Sequence, residues 1–233
     1  MLNDPRILFI AFLGGLTPAL LWLWFWVREE ENKSEPKAVL TMVFIMGMVS
    51  VACVIPIQKF IQANTTGDNL QLILFAGAEE IIKIIAVLVI LYKTKYIDEP
   101  IDWPIYLVTA ALGFAALENT LYLIKPIGLG QDTISLLTGQ FRFLGATLLH
   151  AVSSGIMGIA LGISFHTSGF KKKIHALVGL ILAISLHSVF NFFIIRVKTT
   201  DANYFLEIFK VFGFLWVVSI ILMLLFEKIR RMN

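Results

Sequence analysis

The stretch Ala76-Gly77-Ala78-Glu79-Glu80-Ile81-Ile82-Lys83 places two carboxylates and an ammonium inside an apolar run, about residues 70–92, that is long enough to cross a bilayer. A charge at the centre of a spanning helix costs about 2.5–3.5 kcal/mol on insertion scales. Three of them would cancel most of what the flanking Ile, Leu and Val contribute, unless they are paired or served by water. On a helix Lys83 stands i,i+4 from Glu79 and i,i+3 from Glu80, so its ammonium can partner either acid on one face. A structural ion pair accounts for one Glu and one Lys and leaves the second carboxylate to be answered by the rest of the chain.

Six further apolar runs surround this one, at about residues 7–27, 38–61, 104–124, 141–165, 174–195 and 204–226. The expectation is an all-α polytopic membrane protein, a bundle of about seven transmembrane helices forming one domain over residues 1–233, with its core motifs within 70–195. The first run is about 20 residues long and lacks a basic leader and a small-residue cleavage site, so it reads as an anchor. Trp22, Trp24 and Trp26 crowd its end beside Arg28, where aromatic rings meet headgroups. Residues 64–69, Asn-Thr-Thr-Gly-Asp-Asn, end one helix and cap the next. Residues 93–103 form a short polar connection. Residues 125–140, rich in Gly, Asp and Thr, are expected to contain a surface or re-entrant turn.

Composition agrees: 58% of the 233 residues are hydrophobic and 15% charged, with mean hydropathy +0.84. No soluble domain of this length is so apolar. The net charge of +3 is small and its basic residues lie at the ends of apolar runs, so no nucleic-acid partner is expected; the lipid bilayer is. The single cysteine, Cys53, excludes an internal disulfide or a thiolate cluster and reads as a small buried hydrophobe.

The basic residues also choose an orientation. Arg28, Lys33, Lys37, Lys93, Lys95, Lys171, Lys172, Lys173, Lys228, Arg230 and Arg231 fall on one side of seven spans; Arg6, Lys59, Lys125, Arg142, Arg196 and Lys198 fall on the other. Positive charge favours the cytoplasm, which predicts a plasma-membrane protein with its N-terminus outside and its C-terminus inside. In that topology Glu79, Glu80 and His150 lie about ten residues into spans that start outside, and Glu118 and His187 about fourteen into spans that start inside. At about 1.5 Å per residue all five reach one depth, near mid-bilayer and slightly toward the outer face. Unrelated satisfied groups would have no reason to coincide.

Two or three carboxylates and two imidazoles in a helical bundle suit three chemistries. One is hydrolysis, with a Glu taking a proton from water as it attacks a carbonyl while His or Asn donors stabilise the oxyanion. In that case Glu79 and Glu80 titrate as a coupled pair. Another is a zinc site, with Glu79, Glu80, His150 and His187 as available ligands, although no short zinc signature is present. The third is ion or proton transport. Ser153 and Ser154 beside His150 could suggest a nucleophile, but neighbouring serines in a Gly-rich spanning helix usually bond the preceding carbonyl.

Four motifs on successive helices, Glu79-Glu80-x-x-Lys83, Glu118-Asn119-x-x-Tyr122, His150 followed by small residues, and His187-x-x-x-Asn191, resemble the PrsW family of intramembrane proteases, related to the CAAX prenyl proteases and to bacteriocin-processing or immunity-type membrane proteins. The resemblance implies an endopeptidase that makes the first cut in a single-pass membrane protein, typically an anti-sigma factor, on its extracytoplasmic side. It implies that Glu79, Glu80 and His187 matter most. Members of the family are often described as metalloproteases, whereas the related CAAX enzymes look like metal-free glutamate proteases. The position before Glu118, often Phe in the family, is Leu117, and the last motif ends in Asn191 where some members carry Asp. Asn is a poorer metal ligand and a better oxyanion donor, which favours no metal cofactor here over zinc.

The roles expected on this basis are Glu79 as general base, Glu80 setting its charge, and His187 with Asn191 as the oxyanion pair. His150 would position the water or serve the leaving amine, and Glu118 would orient His150. Lys83, Tyr122 and Asn119 would support. A transporter, or a non-catalytic immunity or scaffold protein, remains the alternative from a different class.

Overall fold

The computed structural model describes residues 4–28, 35–92, 94–129, 133–197 and 203–232, as backbone only at 28 and 133–144. They form seven helices, α1 (Pro5–Arg28), α2 (Lys37–Asn64), α3 (Asp68–Leu91), α4 (Asp102–Gly128), α5 (Thr133–Ile163), α6 (Phe170–Arg196) and α7 (Tyr204–Arg230), and no strand among the described residues. Helices are what an apolar chain must form in lipid, because a spanning segment has to satisfy every backbone N–H and C=O within itself. Six of the seven are long and apolar enough to cross a membrane. The seventh, α3, has the length at 24 residues, and the three ionisable residues at its middle set it apart.

At the centre stands α4, packed against α1, α2 and α5, with α3 closing the gap between α2 and α6. Its face toward each neighbour is buried from Pro104 to Ala116. Small residues let the backbones approach, as usual where lipid removes any hydrophobic drive between helices. At the crossing of α2 and α4, a methyl group on Gly47 would collide with the carbonyl of Ala110, and one on Gly113 with the carbonyl of Phe44. Gly158 of α5 meets the backbone of Pro104 in the same way.

Residues 64–69 turn the chain between α2 and α3. Gly67 takes φ +109° there, which a side chain would strain, and Gln71 Nε2 donates to the Thr65 carbonyl at 2.6 Å. No side chain caps the start of α3, so the capping part of that expectation fails: Gly67 has no side chain to offer. On the opposite side, the Asp102 carboxylate accepts the backbone N–H groups of Asp98 (2.8 Å) and Glu99 (2.7 Å), and the Tyr106 hydroxyl donates to Glu35. Arg196 at the end of α6 reaches Asn69 at the start of α3, 3.4 Å away.

The expectation for Cys53 is corrected, and two other stretches are placed more finely. Within residues 125–140 helix takes up most of the described positions, with α4 running through Pro126 to Gly128 and α5 beginning at Thr133, which leaves the expected turn a short one. Pro126 falls in the last turn of α4, where the helix is about to end, and the 31 residues of α5 span about 46 Å, well beyond the apolar layer. Hydropathy marks where a chain is apolar, while the backbone keeps hydrogen bonding past that point. Cys53 is exposed on α2, because a small apolar group is as well accommodated by lipid as by the bundle. Of the three tryptophans, Trp24 alone is exposed; Trp26 is buried and packs at 5.5 Å from Phe226, and Trp22 at 6.0 Å from Trp216, both on α7.

Candidate active site

In the middle of α3 the chain turns Glu79, Glu80 and Lys83 inward, all buried, while Ile81 and Ile85 face outward. The 3.6-residue period puts the three ionisable groups on the face that α2, α4 and α6 cover. Gly77, just before the acids, faces Ile184 of α6, where a methyl group would make an ordinary contact at 3.7 Å.

Glu80 is the hub. Its Oε1 accepts from Lys83 Nζ at 2.8 Å and from His187 Nδ1 at 2.7 Å, and its Oε2 accepts from Ser154 Oγ at 2.9 Å. Three donors from α3, α5 and α6 thus converge on one carboxylate. Charge-assisted bonds of this kind are about twice as strong as neutral ones, so Glu80 is held firmly. Lys83 chooses the i,i+3 acid over the i,i+4 one.

Glu79 is held on one side only. Oε1 accepts from Gln58 Nε2 of α2 at 2.8 Å. Oε2 is buried and has no hydrogen-bond partner among the described residues, and His187 Nε2 stands 3.5 Å from it. In its neutral form His187 donates from Nδ1 to Glu80, and its Nε2 then presents a lone pair toward Glu79. Two acceptors therefore face each other across 3.5 Å.

His150 lies between Lys83 and Glu118. Lys83 Nζ is 2.8 Å from Nδ1, and Glu118 Oε2 is 2.8 Å from Nε2. An ammonium has only donors, so Nδ1 must accept and the ring proton sits on Nε2, donated to Glu118. Phe114 packs 4.7 Å from Lys83 Nζ and 5.3 Å from the His150 ring, and the two imidazoles are 5.0 Å apart, edge to face.

The structure thus brings together Glu79, Glu80, Lys83, Glu118, His150 and His187. Asn119 points instead to α5, where its Nδ2 donates to Thr147 Oγ1 at 2.9 Å. Tyr122 lies on the outer surface, 59% exposed. Asn191, one turn past His187, is half-buried, and among the described residues no hydrogen bond ties its amide to the cluster. Ser154 corrects the reading of its pair, because its hydroxyl leaves the helix carbonyls for the stronger acceptor on Glu80; Ser153 Oγ is buried without a partner among the described residues. Gln58 and Phe114 were not singled out in the sequence. Gln58 did leave a signal: Gly47, Val51, Val54 and Gln58 form one stripe on α2, the first three of them buried.

Donor atoms of Glu79, His150 and His187 come within 4.8 Å of one another, which invites the question of zinc. A metal-bound imidazole ordinarily ligates through one nitrogen and donates an N–H from the other to an acceptor. His150 cannot do so here, since Lys83 occupies the Nδ1 lone pair and Nε2 carries the proton. Only Glu79 Oε2 and His187 Nε2 of the three offer free lone pairs. The hydrogen bonding therefore fits a metal ion badly.

Comparison with known proteins supplies the frame. A family profile described as "PrsW family intramembrane metalloprotease" matches residues 35–225. The chain is 29% identical over 185 residues to Protease PrsW of Oceanobacillus iheyensis, covering 77% of this chain and 80% of the relative. It is 25% identical over 212 residues to Protease PrsW of Bacillus subtilis, covering 90% and 92%. For Protease PrsW of Clostridioides difficile the identity is 24% over 189 residues, covering 78% and 77%. No solved structure matches. With the profile running from before α2 to late in α7, across every helix that contributes to the acid and imidazole cluster, the chain belongs to the PrsW family of intramembrane proteases.

Proposed function

We propose that this multi-pass membrane protease cuts a single-pass membrane protein, such as an anti-sigma factor, near its extracytoplasmic side, with Glu79 as general base on water and without a metal. The observation that carries the reading is Glu79 Oε2, a buried carboxylate oxygen with no hydrogen-bond partner among the described residues, 3.5 Å from His187 Nε2. A water bridging the two could donate to both at once. Its oxygen attacks the scissile carbonyl carbon as Glu79 takes one proton. The C=O π pair moves to oxygen, and the C–N bond then breaks with a proton delivered to the departing amine.

Glu80 is unsuited to be the base, since its oxygens already receive three donors. Its role is to hold His187 by Nδ1, so that a proton passed from Glu79 to Nε2 leaves an imidazolium flanked by a carboxylate. That cation and the Asn191 amide would stabilise the oxyanion. The proton that His187 Nε2 received from Glu79 is the one delivered to the departing amine, and His150, held between Lys83 and Glu118, would position the water. The orientation is N-terminus outside and C-terminus cytoplasmic, which sets the cut on the outer half of the bilayer.

The test is to map new protein N-termini in membranes of host cells carrying wild type or Glu79→Gln at equal levels. Termini present with wild type alone, near the outer face of single-pass proteins, support the reading and name the substrate. Identical termini in both would remove Glu79 from the mechanism.

A further inference from the structure

Gln58 is the one α2 side chain hydrogen-bonded to the acid cluster among the described residues, and nothing in the four motifs includes it. It lies eleven residues beyond Gly47, which at 3.6 residues per turn is about three turns on the same face. Gly47 is where α2 touches the backbone of α4, so the face that carries Gln58 is fixed toward the bundle. A carboxylate accepts and never donates, so the amide nitrogen of Gln58 must face Glu79, as it does at 2.8 Å.

We propose that Gln58 is a positioning residue for the general base: by binding Oε1 of Glu79 it fixes the carboxylate so that Oε2 faces His187 Nε2. The terminal torsion of a glutamate is broad and selects no orientation by itself. Glu80 needs no such help, because donors meet both of its oxygens. Glu79 has one donor among the described residues, and the direction of its other oxygen depends on it. Loss of a hydrogen bond to a charged group, one step removed from the reacting atoms, is expected to cost about 10- to 100-fold in activity. The inference rests on the proposed role of Glu79, and its test has an arm independent of activity.

Gln58→Met keeps the length and volume of the side chain and removes the donor. The first arm labels purified protein with dicyclohexylcarbodiimide, which attacks carboxyl groups inside membranes, and maps the adducts by mass spectrometry. The adduct on Glu79 is expected to rise severalfold in Gln58→Met while Glu80 stays unlabelled in both proteins. The second arm follows cleavage of a quenched fluorescent peptide spanning the bond mapped above. There kcat falls about 10- to 100-fold with KM within about twofold, and Gln58→Asn, one methylene too short, shows the same split. Unchanged labelling of Glu79, or a kcat loss replaced by a KM loss, overturns the proposal. If Glu79→Gln retains cleavage while labelling still responds to Gln58, the positioning contact stands and the general-base reading alone is lost.

Discussion

Lys83 Nζ donates to Nδ1 of His150 across 2.8 Å, joining α3 to α5 through two fully buried side chains. The same ammonium donates to Glu80 at 2.8 Å. One cation thereby sets the tautomer of an imidazole and supports the carboxylate at the centre of the cluster. Removing it by Lys83→Met leaves a buried carboxylate short of a charged donor and frees the His150 proton to move to Nδ1. Breaking a buried pair in this way costs about 3–5 kcal/mol. The thermal midpoint in detergent should drop accordingly, and peptide cleavage should be lost even below the new midpoint.

Ser154 and Ser153 should behave differently from a nucleophile and its neighbour. Ser154→Ala takes one of three donors from Glu80, at about 1–3 kcal/mol for a bond to a charged group. Cleavage should fall about tenfold and remain measurable. Ser153→Ala removes a hydroxyl without a partner among the described residues and should leave stability unchanged or slightly raised. Complete loss of cleavage in Ser154→Ala, with the fold intact by circular dichroism, would instead assign it a direct role.

Chelation separates the two mechanisms that the donor set could serve. With both nitrogens of His150 occupied by Lys83 and Glu118, cleavage by the purified protein should survive prolonged treatment with a strong chelator. Zinc measured by mass spectrometry should be far below one ion per chain. Zinc near one per chain, lost together with activity and restored by adding it back, would replace water activation by Glu79 with metal activation.

The contact between α2 and α4 should be sensitive to a single methyl. Gly113→Ala puts a Cβ against the carbonyl of Phe44, a backbone atom that cannot swing aside. Overpacking of this kind costs about 1–3 kcal/mol. Because α2 carries Gln58, the displacement should also lower kcat, whereas Gly213→Ala on α7, where a Cβ meets nothing within 4 Å, should change neither quantity.

Tyr106→Phe provides a contrast at the other end of the bundle. It deletes the hydroxyl that donates to Glu35 between α4 and the segment before α2, far along α4 from Glu118. Stability should fall by about 1–3 kcal/mol, since a buried carboxylate loses a donor, while kcat of the folded protein stays at the wild-type value. A melting curve and a cleavage assay on one preparation check both.

Much of the arrangement was legible in the chain because lipid makes the rules strict. An apolar run of about 20 residues has to be a helix, and the seven runs correspond to α1 through α7 in order. Acids and imidazoles at one depth must turn away from lipid and toward one another, and the structure brings Glu79, Glu80, Lys83, Glu118, His150 and His187 into contact. Helix ends were less legible: residues 125–140 signalled a turn by their Gly, Asp and Thr, but not that α4 runs to Gly128 and α5 starts at Thr133.

By itself, then, the sequence determined the number and order of the helices and the layer in which the ionisable groups gather, since both follow from the cost of exposing polar atoms to hydrocarbon. Tertiary structure alone decided which donor meets which oxygen. Whether Lys83 serves Glu79 or Glu80, whether Ser154 bonds its own helix or a neighbour, and whether any group at all reaches Glu79 from α2 depend on how the helices are rotated and how closely they approach. That is set by contacts such as Gly47 on Ala110 and Gly113 on Phe44, which involve none of the acids themselves. A hydrogen bond is won or lost within a few tenths of an ångström, and no periodicity in one helix fixes its distance to the next.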